Sequence, residues 1–256
     1  MKKKFLLYCK KRMFAPPPPL CQGRDDLSAV FFWRIAGMIV FFYLIFPLVL
    51  KSFVAELSSK LLNTYFFPVL ILPQLSLAVV LLCIIYLTGR HCSLKEKLDM
   101  KNWQWGYLPN SIIIGFTMLI VNGIITGFLK VVMDSCGYEL KAPAIFTLFK
   151  DAAPSQIVWL LILVLLVAPV VEELVFRRFL YNYCARCIGS FPAMIAVSLL
   201  FAIIHDSNLQ MPGLFLLGMV FQMAYNSTRS IYYPVLLHFF NNLISVTIFF
   251  YTQYFI

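Results

Sequence analysis

The chain has 256 residues, of which 61% are hydrophobic and only 12% charged, with a mean hydropathy of +0.85. So much apolar surface cannot be hidden in one soluble core of this size, so the solvent must largely be lipid. The net charge of +10 would suggest a nucleic-acid partner in a soluble protein; here it is a topological signal, and no nucleic-acid partner is expected.

Residues 1–28 read as a basic, Pro-rich cytosolic segment, with Pro16 to Pro19 as a short polyproline II spacer. The apolar run Phe5 to Tyr8 is too short for a secretory signal and no small-residue cleavage site follows it. Apolar stretches then occupy roughly 29–50, 65–88, 108–129, 156–176, 192–206, 212–226 and 231–254. They are rich in Leu, Ile and Phe and poor in turn residues, which favours helices over the alternating strands of a barrel. The expected fold is all-α: a polytopic membrane protein of about seven (six to eight) transmembrane helices around an intramembrane polar cavity. Residues 29–150 would form its N-terminal helices and 151–256 its catalytic helices, in one continuous membrane domain.

Lysine and arginine orient these spans. Seven precede the first span, and the second, fourth and sixth loops carry Arg90, Lys95, Lys97, Lys101, Arg177, Arg178, Arg186 and Arg229. The alternate loops carry only Lys51, Lys60, Lys130, Lys141 and Lys150. The bias predicts a cytoplasmic N-terminus and a multi-pass protein, with a bacterial plasma membrane the preferred location. On this topology only Cys136 of the seven cysteines lies outside membrane and cytosol, so no disulfide framework is implied. Cys184 and Cys187 have redox-like spacing without a thioredoxin-type context, and are read as incidental.

The chemistry is expected where polar groups interrupt the apolar runs. The stretch Ile157 to Val171 is followed directly by Glu172, Glu173 and, four residues on, Arg177. A carboxylate at mid-bilayer costs about 2.5–3.5 kcal/mol on insertion scales, so two in succession need a compensating reason. One helical step separates them by about 100°, while Glu173 and Arg177, at i and i+4, share a face and can pair. Glu172 is then the carboxylate free for chemistry; the alternative is that both acids are hydrated at the cytosolic edge.

Two further motifs follow: Phe201 to His205, ending the fifth stretch, and His238 to Asn242, opening the last. His238 and Asn242 share a helical face. If the Glu172 helix turns at Gly189-Ser190, with Pro192 opening the next, then Glu172 and His205 lie at similar height. His238 follows Arg229 by only nine residues, so its helix must be displaced or tilted to reach that level. The break from Asp206 to Gly213 predicts a wet cavity. A glutamate, two histidines and an asparagine there suit activation of water and stabilisation of an oxyanion. Glu172, His205 and His238 could instead ligate a divalent metal such as zinc, although no HExxH pair is present and Asn is a poor zinc ligand. There is no GxSxG elbow, phosphate loop or dinucleotide fingerprint.

EExxxR at Glu172, Glu173 and Arg177, FxxxH at Phe201 and His205, and HxxxN at His238 and Asn242 stand in one order on three apolar segments. In this the chain resembles the CAAX prenyl protease 2 / bacteriocin-processing (CPBP, or Abi) family of intramembrane proteases, over about residues 155–248. The resemblance extends to Gly218–Tyr225 and to Ser230–His238. It implies peptide-bond hydrolysis within the membrane on a membrane-associated or lipidated peptide or protein, with membrane lipids as the other partner. It implies Glu172 as the base that activates water, His205 holding the water, His238 and Asn242 on the oxyanion side, and Glu173 and Arg177 in support. A metal-independent glutamate protease and a metalloprotease remain the two mechanisms. Arg178 stands where related chains usually have Gly. The competing functions are a non-enzymatic immunity or scaffold protein that retains the motif, and a proton-coupled transporter, against which no repeat symmetry is visible.

Overall fold

The computed structural model describes residues 37, 78, 93–100, 103–138, 144–205 and 209–255. The basic N-terminal segment, most of the first two predicted spans, His91 and Cys9, Cys21, Cys83 and Cys92 lie outside the described residues. Those described form helices and no strands. In chain order they are α1 (Leu94–Lys97), α2 (Tyr107–Ser135), α3 (Ala144–Asp151), α4 (Pro154–Ile188), α5 (Ser190–Ile203), α6 (Met211–Thr228) and α7 (Tyr232–Phe255).

Among the described residues, α2, α4 and α7 are long and apolar enough to cross a membrane. Together with the all-helical fold this defines a polytopic helical membrane protein. The outward stripe of α2, with Ile113, Phe116, Ile120, Ile124, Phe128 and Val131 all exposed, suits acyl chains. Aromatic rings cluster at both ends of α7. Trp103 meets Tyr107 and Tyr232 edge-on and Tyr107 stacks on Tyr233, while Tyr251, Tyr254 and Phe255 are exposed at the far end. This is the placement of interfacial anchors. α3, between the predicted third and fourth spans, is an addition to the sequence reading; its Phe149 packs on Phe249 and Phe250 of α7.

The predicted hairpin is present. α4 runs without a break to Ile188, Gly189 turns the chain at φ +87°, and α5 begins at once. That backbone conformation is one L-residues rarely adopt, so glycine stops α4 there. α5 then packs along α6 at a close approach of small residues: a Cβ on Gly218 would stand 3.1 Å from Cβ of Ser198. At 14 residues α5 is only about 21 Å long, well short of a span.

Two departures from α-geometry within α4 differ from the regular 100° step assumed from sequence. Leu163–Val167 and Leu174–Tyr181 are π-helical, on either side of the α-helical turn Ala168–Glu173 that carries both acids. The π-helical stretches re-aim the side chains that follow them, a feature frequent at functional sites.

Candidate active site

Glu172 and Glu173 are both buried, Glu173 completely so, and the structure assigns them different partners. Glu173 Oε2 lies 3.0 Å from Nε of Arg177, one helical turn on, and its Oε1 lies 2.9 Å from Nδ1 of His238. The expected i,i+4 pair is therefore present, with a histidine from another helix added to it. Arg177 is stabilised beyond that pair. Its guanidinium lies over the rings of Phe201 at 4.6 Å, Phe221 at 5.3 Å and Phe176 at 5.8 Å, and its Nη2 donates to the carbonyl of Gly218 at 3.4 Å. Cation–π contact is worth most where water is absent, as here.

Glu172 points to the two histidines. Its Oε2 lies 3.6 Å from Nε2 of His205 and 4.0 Å from Nε2 of His238, and it makes no hydrogen bond to the protein. The other ring nitrogen of each histidine is held by an acceptor. His205 Nδ1 lies 2.6 Å from the carbonyl oxygen of Phe201, and His238 Nδ1 faces the Glu173 carboxylate. A carbonyl and an ion-paired carboxylate can only accept, so both Nδ1 atoms carry protons and both Nε2 atoms turn toward Glu172. Phe221, stacked on the His238 ring at 4.9 Å, and Phe201, 4.5 Å from the His205 ring, fix the planes of the two imidazoles.

Thus Glu172, His205 and His238, far apart in sequence, do meet, and Glu173 and Arg177 adjoin them. Asn242 sits one turn beyond His238 and is half-buried. Its Nδ2 donates to the main-chain carbonyl of Val164 at 2.9 Å, and its Oδ1 accepts from Nδ2 of Asn241 at 3.4 Å. Sequence reasoning missed the ring walls of Phe176 and Phe221, for which no sequence signal exists, and the Val164 carbonyl. For the carbonyl there was one: Pro169 in the apolar run before the acids.

A cavity of about 700 Å³ lies between α2, α6 and α7, bounded among others by Asn122, Gln210, Gly213, Asn241 and Ser245, and by neither glutamate nor either histidine. The break after α5 contributes Gln210 and Gly213 to it, as its polar composition suggested.

Arg178, the departure noted in the sequence, is also buried. Its Nη1 lies 2.7 Å from Oδ2 of Asp99, which also accepts from the Tyr225 hydroxyl at 2.5 Å, and its Nη2 donates to the carbonyl of Glu96 at 3.1 Å. This joins the segment 93–100 to α4 and α6. Cys136, Cys184 and Cys187 are free.

A zinc ion holds its donors at about 2.0–2.1 Å, which sets them roughly 3.3 Å apart. The Glu172–histidine separations are longer, and among the described residues no group of three or more His, Cys, Asp and Glu is disposed to hold a metal ion. The set does not fit the ion in this arrangement, and no step is derived through one.

Residues 154–244 match the family model described as Type II CAAX prenyl endopeptidase Rce1-like. The match opens at the first residue of α4 and closes two residues beyond Asn242, so it contains all three motifs. Over these residues the chain is similar to the CPBP/CAAX intramembrane protease family, a family of hydrolases, and the match supports that relationship. No curated protein matches the chain, and no solved structure does.

Proposed function

We propose that the chain is an intramembrane endopeptidase that hydrolyses a peptide bond of a membrane-associated or lipidated substrate, using water activated by Glu172. The observation that carries this reading is the convergence of His205 Nε2 and His238 Nε2 on one Glu172 oxygen that has no hydrogen bond of its own. Two acceptors 3.6 Å apart, Glu172 Oε2 and His205 Nε2, are both within hydrogen-bond reach of a single water oxygen between them. Glu172 takes the proton as the water oxygen bonds to the scissile carbon, and returns it to the amine as the C–N bond breaks.

The carbonyl oxygen becomes negative in that step and needs donors. Asn242 has one Nδ2–H beyond the one given to Val164. His238, one turn earlier on α7, turns its Nε2 to the same site. Glu173 and Arg177 act through His238, the carboxylate orienting the ring and the guanidinium compensating the carboxylate.

The description of the matched family supports a lipidated peptide as the first substrate class to try, and the loop charges support a cytoplasmic N-terminus in a plasma membrane. The test is a comparison of membrane peptides from cells carrying wild-type, Glu172→Ala or His205→Ala protein at equal abundance. Peptides cut by wild type and left whole by both variants are the expected result; identical peptide sets, with biological activity retained, would overturn the reading.

A further inference from the structure

We infer that Pro169 is a positioning residue for Asn242, acting through the main-chain carbonyl of Val164. Within the first π-helical stretch of α4 the hydrogen bonds run five residues back, and Ala168 N–H accordingly goes to the carbonyl of Leu163. The next donor in that register would serve Val164, but it belongs to residue 169, which is proline and has no N–H. The α-helical partner of Val164 would be Ala168, already committed to Leu163. The Val164 carbonyl is therefore orphaned by helix geometry and proline together.

An orphaned carbonyl at this depth requires a donor, and Asn242 of α7 supplies one at 2.9 Å. The bond orients the carboxamide. A flipped amide would set Oδ1 against the Val164 oxygen and forfeit the contact from Asn241 at 3.4 Å. The remaining Nδ2–H is thereby held in one direction, beside His238 one turn earlier. That this N–H serves the reaction rests on the oxyanion reading of Asn242 above; that Pro169 sets its direction does not.

The experiment reads the two separately, on the full chain in lipid nanodiscs. In asparagine-labelled protein the Asn242 Nδ2 signals are assigned by their loss in Asn242→Ala. One proton is expected shifted downfield as hydrogen-bonded in wild type, and that shift is expected to vanish in Pro169→Ala, where the restored N–H competes for the helix carbonyls. An unchanged Asn242 signal in folded Pro169→Ala overturns the inference.

Cleavage of a membrane peptide cut by wild type and not by Glu172→Ala then gives a double-mutant cycle. Asn242→Ala is expected to lower kcat by about 10²-fold, as for one lost oxyanion donor. Pro169→Ala is expected to lower it roughly 10-fold with KM unchanged, and to cost nothing further in the Asn242→Ala background. An equal loss in both backgrounds would assign Pro169 to helix shape alone and overturn its positioning role. A wild-type kcat in Asn242→Ala would remove the oxyanion reading and leave the positioning to the spectral result.

Discussion

His238 Nδ1 and Glu173 Oε1 stand 2.9 Å apart, so one acid of the adjacent pair holds the imidazole that faces the other. The consequence is a division of labour across a single peptide bond. Glu173 is ion-paired with Arg177 at 3.0 Å and meets His238 Nδ1 at 2.9 Å, whereas the histidines nearest Glu172 Oε2 stand off at 3.6 and 4.0 Å. Stability and activity should therefore respond oppositely to the two.

Glu173→Ala is expected to destabilise the protein by about 3–5 kcal/mol, because Arg177 is left buried without its compensating charge. Glu173→Gln should recover part of that loss by keeping a hydrogen-bond acceptor for His238. Chemical denaturation in detergent micelles, followed by helical circular dichroism, measures both.

Glu172→Gln should leave that denaturation midpoint unchanged or raised, since it removes a buried charge that no hydrogen bond satisfies. Hydrolysis should fall by about 10²–10⁴-fold, the usual contribution of a general base. Loss of stability equal to that of Glu173→Ala would contradict the assignment of roles.

Arg178 and Asp99 should be energetically coupled. Asp99→Ala leaves the buried Arg178 charge without its partner and Arg178→Ala leaves the half-buried Asp99 alone, whereas the double variant leaves neither, so the pair should show a coupling energy of roughly 0.5–3 kcal/mol. Additive losses would mean that the 2.7 Å contact adds nothing to the docking of segment 93–100.

At the α5–α6 crossing, Gly218→Val should push Ser198 away and withdraw His205 from Glu172, lowering activity more than stability. Gly218→Ala, whose Cβ would stand 3.1 Å from Ser198 Cβ, should be milder and restored by Ser198→Gly. Activity of the three variants and of the double variant is the check.

The proposed water chemistry uses no metal step, so activity should survive chelation by EDTA or phenanthroline followed by exchange into metal-free buffer. Loss of hydrolysis that returned on adding zinc would replace this mechanism.

Much of the site was legible because its signals are local. Glu173 and Arg177 read as a pair from one turn of helix, and Gly189 marked the turn that brings His205 level with Glu172. Membrane character followed from hydropathy alone. The position of His238 was not legible: counting from Arg229 left its level unresolved, and only the packing of α7 against α4 brings it to both acids. α3 carries no separate signal, because its eight residues are too few to form a pattern against the neighbouring apolar runs.

By itself, then, the sequence determined that the chain is helical and membrane-embedded, which residues interrupt its apolar runs, and which of them face one another within a turn. Those properties depend on hydrophobicity and on a repeat of 3.6 residues, both carried by neighbours along the chain. Tertiary structure decided that His238 binds Glu173 as well as facing Glu172, that Phe176, Phe201 and Phe221 enclose Arg177, and that Asn242 answers the carbonyl freed near Pro169. Each of these joins helices whose relative height and rotation are set by packing, and a π-helical turn shifts that rotation without marking the residue pattern.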